Sequence, residues 1–342
     1  MTRRSPGPDS APRAAAVGLL VVLTVVLLAV AVMRSGGGAP ASPSPNAAAS
    51  PSRSAAASIE SPSASPSAGA SASPSGSAVA SAIPTFRHVY LLMMENKEYG
   101  RIVGNPSAPF LSDLIARSAL STNDHAITHP SQPNYIALVA GSTSGVRDDG
   151  KHDLDAPNLF DQIEAAGRSW AVFAQNVPAG CFRGTDATDG PDGPGKYVRK
   201  HNPAISFRGI SGDPARCAGI TDFSHFDPTA ADFEMVIPNL CNDMHDCSVA
   251  TGDAFLRSFV PRITDSPAFA HSVLFITWDE GTSSEGGGGH VALVATSPLA
   301  PPGRTSGKAH DHYSLLHTIE EAWGLPCLSN ACGANDLADL FR

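Results

Sequence analysis

Several features that would decide a function are missing from this 342-residue sequence. No run of Lys and Arg side chains occurs, and the net charge is −9, so a domain that binds nucleic acid is not indicated. Only one uncharged apolar segment is long enough to span a bilayer, which excludes a polytopic membrane protein. The four glycines at 286–289 lack the spacing of a nucleotide-binding loop, and no Gly-x-Ser-x-Gly pattern of Ser-His-Asp hydrolases is present.

The charge is distributed unevenly. Residues 1–84 hold five arginines against Asp9 and Glu60, which gives +3. The remaining residues therefore carry 18 basic and 30 acidic side chains, which gives −12. An acidic domain repels nucleic acid and anionic lipid headgroups at long range, so we expect no nucleic-acid partner.

The first quarter of the sequence predicts that the rest of the chain is exported from the cytoplasm. Residues 14–33 are uncharged and mostly Ala, Val and Leu, and as a helix they would span about 30 Å, the thickness of the hydrocarbon core. Arginines precede this segment, so residues 1–13 are predicted to be cytoplasmic and the rest extracytoplasmic. We interpret the segment as a transmembrane signal anchor in the cell membrane; a cleaved signal peptide, and hence secretion, is the alternative.

Residues 34–84 are dominated by Ser, Ala and Pro and cannot build a core. This composition predicts a disordered linker between membrane and domain. Residues 85–342 read as ordinary globular sequence, long enough for one large catalytic domain.

All six cysteines lie in the exported part of the chain. An even number of cysteines outside the cytoplasm favours disulfides. Short loops suggest two pairs, which leaves the third: Cys241–Cys247, Cys327–Cys332 and Cys181–Cys217. A zinc site is the alternative, but no Cys-x-x-Cys pair occurs.

Strand-like and helix-like segments alternate along the domain. Short apolar runs predict strands at 88–94, 170–173, 233–237, 272–278 and 290–296. Helical spacing predicts helices at 107–120, 158–166, 254–263 and 313–323, and a further helix that starts near Ser131. Alternation of this kind favours an α/β fold with a largely parallel sheet covered by helices on both sides.

Oxygen-bearing side chains follow two of these strands. Glu95 and Asn96 come after the first, and Asp279 and Glu280 come after the strand that ends at Trp278. Because chemistry gathers at the carboxyl ends of parallel strands, these side chains are candidates for a divalent-cation site of the Mg²⁺, Ca²⁺ or Mn²⁺ type. Simple capping of the following turns is the alternative.

Ser131 and the histidines are the other candidates for chemistry. Ser131 stands at the predicted start of a helix, where a hydroxyl either caps the helix or acts as a nucleophile beside a metal. The 12 histidines include several next to Asp, Asn or Pro, and a histidine near a metal and an anion can donate a proton. Taken singly, a histidine of this kind is more often a surface or structural residue.

A set of motifs appears in a fixed order along the domain: MENKEYG at 94–100, HPSQPNY at 129–135, KHNP at 200–203, PNLCNDMHDC at 238–247, TWDE at 277–280, HV at 290–291 and HYSLLHTIE at 312–320. Together they resemble the phosphoesterase family of bacterial and fungal acid phosphatases and non-specific phospholipases C, within the alkaline phosphatase-like superfamily. The resemblance spans about residues 86–325. It implies a three-layer α/β/α sandwich with a largely parallel central sheet.

The resemblance also implies roles for individual residues. The implied ligands of a divalent metal ion, whether Ca²⁺, Mg²⁺, Mn²⁺ or Zn²⁺, are Glu95, Asn96, Ser131, Asp279 and Glu280. Ser131 is the implied nucleophile and Asn134 the implied holder of a phosphate oxygen. His201, His245 and His290 are the implied phosphate-binding or acid–base histidines, with His245 as the expected proton donor. Lys97 stands where family members commonly carry His, and it could favour an extra anionic group or point to solvent.

We therefore expect an extracytoplasmic, metal-dependent hydrolase of phosphoric esters. The expected form is an acid phosphatase-like phosphomonoesterase that works through a phosphoserine on Ser131. The expected partners are a small phosphate ester or a phospholipid as substrate and the membrane through the N-terminal helix. A phospholipase C acting on phosphatidylcholine-type lipids is one alternative, and a non-catalytic cell-surface binding module is another.

Overall fold

The computed structural model describes residues 83–342. The predicted cytoplasmic segment 1–13, the membrane span 14–33 and nearly all of the linker 34–84 lie outside the described residues. Within residues 83–342, none of the helices combines the length and the apolar character that a membrane span requires.

Strands and helices alternate through the described residues, as predicted. The strands are β1 Val89–Met94, β2 Ala119–His125, β3 Trp170–Ala174, β4 Asp186–Gly190, β5 Gly193–Val198, β6 Ile220–Thr221, β7 Phe233–Ile237, β8 Val273–Trp278, β9 His290–Thr296, β10 Thr305–Ser306 and β11 His310–Asp311. The α-helices are α1 Tyr99–Ile102, α2 Pro109–Ala116, α3 Ser131–Ala140, α4 Leu159–Ala165, α5 Arg208–Ser211, α6 Pro214–Cys217, α7 Val249–Thr264 and α8 His312–Trp323.

The central sheet is mostly parallel, which confirms the prediction. Its order is β10-β2-β9-β8-β1-β7-β3-β6, with β11 also paired to β2. Strand β9 runs antiparallel to both β2 and β8, and the other pairs are parallel. Strands β4 and β5 form a separate antiparallel hairpin that the sequence analysis did not predict.

Helices cover both faces of the sheet. Alternate side chains of β1 enter two separate apolar clusters, with Leu91 in one and Leu92 in the other. The first cluster is completed by α3, α4 and α8, and the second by α2 and α7. All six residues of β1 are buried, which explains why this strand reads as a continuous apolar run.

The predicted helix 107–120 is wrong at its C-terminal end. Helix α2 ends at Ala116, and β2 begins at Ala119, which pairs with Ala295 of β9. Ala119 and Leu120 are apolar and continue the helical spacing, so the local pattern fits either element. Pairing with β9 decides between them, and that pairing is a tertiary interaction.

Three disulfides staple the described part of the chain. They join Cys181 to Cys217, Cys241 to Cys247 and Cys327 to Cys332, and no cysteine is left free. The pairing predicted from the short loops is therefore confirmed, and it sets aside the alternative of a cysteine zinc site.

Candidate active site

Two neighbouring strands place acidic side chains side by side. Strands β1 and β8 are parallel, with Met94 opposite Trp278, so Glu95 and Asp279 leave the sheet together. Both carboxylates are fully buried. Asn96 turns the chain sharply with φ 53°, a left-handed conformation that Asn tolerates well. This turn brings its backbone N–H within 3.0 Å of Asp279 Oδ1.

Glu95 is the hub of the site. Its Oε1 accepts a 2.5 Å hydrogen bond from the Tyr135 hydroxyl and lies 3.0 Å from His201 Nε2. Its Oε2 accepts hydrogen bonds from Asn96 Nδ2 at 2.7 Å and from Ser131 Oγ at 3.3 Å. These contacts fix both carboxylate oxygens, so Glu95 links the end of β1 to the start of α3.

Ser131 does not cap its helix. Helix α3 begins at Ser131 itself after Pro130, and no side chain caps its N-terminus. The Ser131 hydroxyl instead donates to Glu95 Oε2 at 3.3 Å. The capping alternative therefore gives way to a role in the acidic cluster. The hydroxyl is held by the Glu95 carboxylate, at a helix N-terminus that favours negative charge.

Asn134 organises the loop that leads into Ser131. Its Oδ1 accepts hydrogen bonds from the backbone N–H groups of Ile127 and Thr128, at 3.0 and 3.1 Å. Its Nδ2 donates to the Thr128 carbonyl at 2.7 Å. In this arrangement the Asn134 amide positions the loop that leads into Ser131, and its contact with a phosphate oxygen stays a prediction.

His201 is buried against Glu95 and Tyr135. It closes a short 3₁₀ turn, Arg199–His201, and is 1% exposed. Its ring stacks on Tyr135, with centroids 5.2 Å apart and planes 12° apart. Its Nδ1 lies 3.5 Å from Asp243 Oδ2. Burial lowers the pKa of His201 well below its usual value, so its neutral form is favoured.

The loop closed by Cys241 and Cys247 supplies a second histidine. His245 is partly exposed, and its ring centroid lies 5.8 Å from that of His201. Its Nδ1 contacts Asp246 Oδ1 at 2.7 Å, and its backbone N–H donates to Asp243 Oδ1 at 2.7 Å. The loop therefore places the His245 imidazole and the buried Asp243 carboxylate beside His201.

Two residues of this site were not singled out by the sequence analysis: Tyr135 and Asp243. Both fall inside the quoted motifs, at the end of 129–135 and in the middle of 238–247. Tyr135 read as the first apolar residue of a helix, and Asp243 as one of several acids near a cysteine. Only the fold shows that Tyr135 contacts Glu95 and that Asp243 lies beside His201.

The remaining predicted site residues have other partners. Glu280 Oε2 lies 2.8 Å from His129 Nδ1, and the His129 ring also contacts the Ser283 carbonyl. His290 stacks on Tyr99, with centroids 4.5 Å apart. The ligand role of Glu280 and the catalytic role of His290 stay predictions.

Lys97 does not point freely to solvent. Its Nζ donates to the Met244 carbonyl at 2.7 Å, and the side chain is partly buried. Burial lowers the pKa of Lys97, although the neighbouring carboxylates Asp243, Glu95 and Asp279 act in the opposite direction. The ammonium group thus ties the disulfide loop to the turn after β1.

The acidic cluster needs positive charge. Burial is the main cause that raises the pKa of Glu95 well above its usual value, and the negative charges of Asp279 and Asp243 raise it further. Burial is also the main cause that raises the pKa of Asp243 and of Asp279. Asp243 Oδ2 and Asp279 Oδ2 are buried without a hydrogen-bond partner. Buried carboxylates with orphaned oxygens fit a divalent cation, so the residues present suit the metal that the sequence predicts.

The fold and the site define a class of protein. It is an α/β enzyme that gathers a serine, three buried carboxylates and two histidines at the carboxyl edge of a mostly parallel sheet. That edge is where such folds carry their chemistry.

Comparison with known proteins identifies the family. The profile of the phosphoesterase family matches residues 105–326. A phosphatidylinositol-3-phosphatase of Mycobacterium tuberculosis is 35% identical over 77% of this chain and 85% of its own length. A probable acid phosphatase of Kluyveromyces lactis is 28% identical over 75% of this chain and 62% of its own length. The chain belongs to the phosphoesterase family and is a phosphoric ester hydrolase.

A solved structure agrees at the level of the fold. A protein of the alkaline phosphatase superfamily from Vibrio parahaemolyticus matches with a TM-score of 0.52 and 10% sequence identity. The match covers 73% of this chain and 71% of that one. At this identity the likeness concerns the fold alone, and it agrees with the parallel sheet described above.

Proposed function

We propose that the protein is an extracytoplasmic, metal-dependent phosphomonoesterase that uses Ser131 as its nucleophile. The observation that carries the proposal is the hydroxyl of Ser131, held 3.3 Å from Glu95 Oε2 at the N-terminus of α3. The likeness to an acid phosphatase and to a phosphatidylinositol-3-phosphatase supports a monoester as the substrate.

The side chains suit a two-step transfer. Glu95 is placed to take the proton of Ser131 as Oγ forms its bond to phosphorus and the P–O bond to the alcohol breaks. The departing oxygen takes its proton from His245, the partly exposed histidine beside His201. Water then releases phosphate from the phosphoserine and restores the hydroxyl. A divalent cation held by the carboxylates, when bound, supplies positive charge that stabilises the phosphoryl oxygens.

The proposed location depends on the N-terminal segment and the cysteines. The apolar segment 14–33 and the arginines before it favour a single-pass anchor with the catalytic domain outside, and a cleaved signal would secrete the domain. Three disulfides with no free cysteine in the described residues suit an oxidising compartment.

One experiment tests the activity. The full chain, purified in detergent, is assayed on p-nitrophenyl phosphate and p-nitrophenyl phosphorylcholine from pH 5 to 9, with EDTA or added divalent metal. We expect metal-dependent turnover of the monoester that is lost in Ser131→Ala. The matched control is Ser112→Ala on α2, whose hydroxyl bonds only within its own helix.

Each other outcome has a defined meaning. Full activity in Ser131→Ala contradicts the nucleophile. Turnover of the choline diester alone favours a phospholipase C. Silence on both substrates by folded, metal-loaded protein contradicts a broad phosphomonoesterase and leaves either a hydrolase with a narrow substrate or a binding module.

A further inference from the structure

A positively charged cavity adjoins the candidate active site. Its volume is about 250 Å³, and it is lined by the loop 149–151 and by residues in and beside the β4–β5 hairpin. It gathers four of the 18 basic side chains of residues 85–342, a domain with a net charge of −12. The charged side chains that line it are Asp149, Lys151, Asp186, Lys196, Arg199 and Lys200. Basic groups concentrated in one concave site of an acidic domain favour an anionic ligand.

Two hydrogen bonds place this cavity beside the nucleophile. Asp149 Oδ1 accepts the backbone N–H of Gln132, the residue after Ser131, at 3.0 Å. Its Oδ2 accepts a hydrogen bond from Lys200 Nζ at 2.9 Å. The lysine ammonium is therefore on the order of 10 Å or less from the Ser131 backbone. Lys200 also directly precedes His201, the buried histidine of the site. One small polyol or sugar is enough to bridge the two places.

The basic groups of the cavity have binding capacity left. Lys151 is exposed and has no ion-pair partner among residues 83–342. Lys196 faces Asp186 at 3.0 Å, but both side chains are more than 40% exposed, and such a pair contributes little to stability. Arg199 is 2% exposed, and its Nε and Nη1 are buried without a hydrogen-bond partner. Because unpaired buried donors are costly, an anion beside them is favourable.

The lysine nearest the nucleophile stays charged. Burial by itself lowers the pKa of Lys200, but the hydrogen bond to Asp149 and the charges of Asp149 and the acidic cluster outweigh burial, so the pKa is raised. Its ammonium group therefore acts at the border between the cavity and the acidic cluster. Lys97, which the sequence suggested for an extra anionic group, is instead engaged with a backbone carbonyl.

We propose that this cavity binds a second phosphate group of the substrate, so that the preferred substrate is a polyol or sugar phosphate that carries two phosphates. The inference rests on the proposed function, since the other phosphate must reach Ser131 as the monoester that is cleaved. At about 250 Å³ the cavity is smaller than the ~300–1,000 Å³ typical of sites for whole small molecules, which suits one phosphate group. Lysine ammonium groups bind phosphate oxygens through charge-assisted hydrogen bonds. A free bisphosphate and the phosphodiester of a lipid headgroup both offer this chemistry.

Binding without turnover tests the proposal. The full chain carrying Ser131→Ala, in detergent with divalent metal, is titrated by calorimetry with glucose 6-phosphate and with glucose 1,6-bisphosphate. We expect the bisphosphate to bind about 10- to 100-fold more tightly. Adding Lys196→Gln or Lys151→Gln should lower that ratio at least about threefold, and both together about tenfold. A second arm compares glycerol 3-phosphate with dioctanoyl phosphatidylglycerol phosphate, whose second phosphate is a diester.

The matched control is Lys308→Gln, because Lys308 is 42% exposed and faces Asp336, much as Lys196 is 41% exposed and faces Asp186. It removes the same charge from the protein and should leave both ratios unchanged. A preference in the first arm alone assigns a free bisphosphate, and a preference in the second alone assigns a lipid headgroup.

Three results overturn the proposal: equal affinities within both arms, a preference that survives the combined lysine variant, or a ratio that falls equally in Lys308→Gln. The proposed function is judged separately. A Ser131→Ala chain that still releases phosphate refutes the nucleophile, whereas the binding ratios are measured without turnover.

Discussion

A buried carboxylic acid far from the active site predicts an unusual pH dependence of stability. Glu234 on β7 is fully buried opposite Tyr90, and its Oε1 accepts the Ala231 N–H at 3.2 Å while Oε2 has no partner. Burial raises the pKa of Glu234 from 4.5 to about 8. The folded protein therefore holds this group neutral over a range of pH in which the unfolded chain ionises it.

The sign and size follow from proton linkage. Below pH 4.5 both states are protonated and Glu234 costs nothing in stability. Between pH 4.5 and about 8 only the folded state keeps the proton, so the free energy of unfolding falls by about 1.4 kcal/mol per pH unit. The full loss is about 5 kcal/mol, reached above pH 8.

The perturbation that isolates this effect is Glu234→Gln, which keeps the shape and removes the titration. Guanidinium unfolding of both proteins, with disulfides intact, should give a stability difference that moves in favour of the variant by about 4 kcal/mol between pH 5 and pH 8. The new amide N–H leaves a buried donor unsatisfied, which shifts all values by a constant of about 1–3 kcal/mol. The slope against pH is therefore the quantity to compare.

The control is Asp113→Asn, since Asp113 is exposed on helix α2. It should leave the pH dependence of unfolding unchanged. If wild type and Glu234→Gln give parallel curves from pH 5 to pH 8, Glu234 is ionised in the folded protein and the reasoning from burial is wrong.

Three further predictions concern the active site, one disulfide and the glycine that follows helix α3. Tyr135→Phe removes the hydroxyl that holds Glu95, so kcat should fall about 10- to 100-fold with little change in KM, as steady-state kinetics would show. Cys181→Ser with Cys217→Ser opens a loop with a sequence separation of 36, and guanidinium unfolding should show a loss of about 4 kcal/mol. Gly141→Ala places a side chain at φ +65° against a backbone carbonyl, so thermal unfolding should show a loss of at least 1–2 kcal/mol.

The fold was predictable where the local pattern and the tertiary role agree. Strands β1 and β8 are buried on both faces, so their sequences are the short apolar runs that are typical of central strands. Strand β2 was missed because it ends in the polar run Ser-Thr-Asn-Asp-His, which has no strand pattern of its own, although Ser121, Asp124 and His125 pair with β9. Its place in the sheet depends on partners far away in the sequence.

The site residues also divide into those that a local pattern predicts and those that depend on tertiary contacts. Glu95 and Asp279 were found because each directly follows a recognisable strand, and the sheet then brings them together. Tyr135 and Asp243 carry no such signal, since their importance lies in contacts with Glu95 and His201 across the fold. Residues at strand ends could be predicted from the sequence, whereas the side chains that orient them could be identified only in the folded structure.

The disulfide between Cys241 and Cys247 is best understood as a positioning device. Its sequence separation is 6, so it restricts the unfolded chain much less than the disulfide with a separation of 36. Yet the short loop it closes holds a buried carboxylate, a histidine and the Met244 carbonyl that binds Lys97. Met244 has φ +80°, a conformation that a non-glycine residue adopts only under constraint. The disulfide and the hydrogen bond from Lys97 supply that constraint, which keeps Asp243 and His245 beside His201.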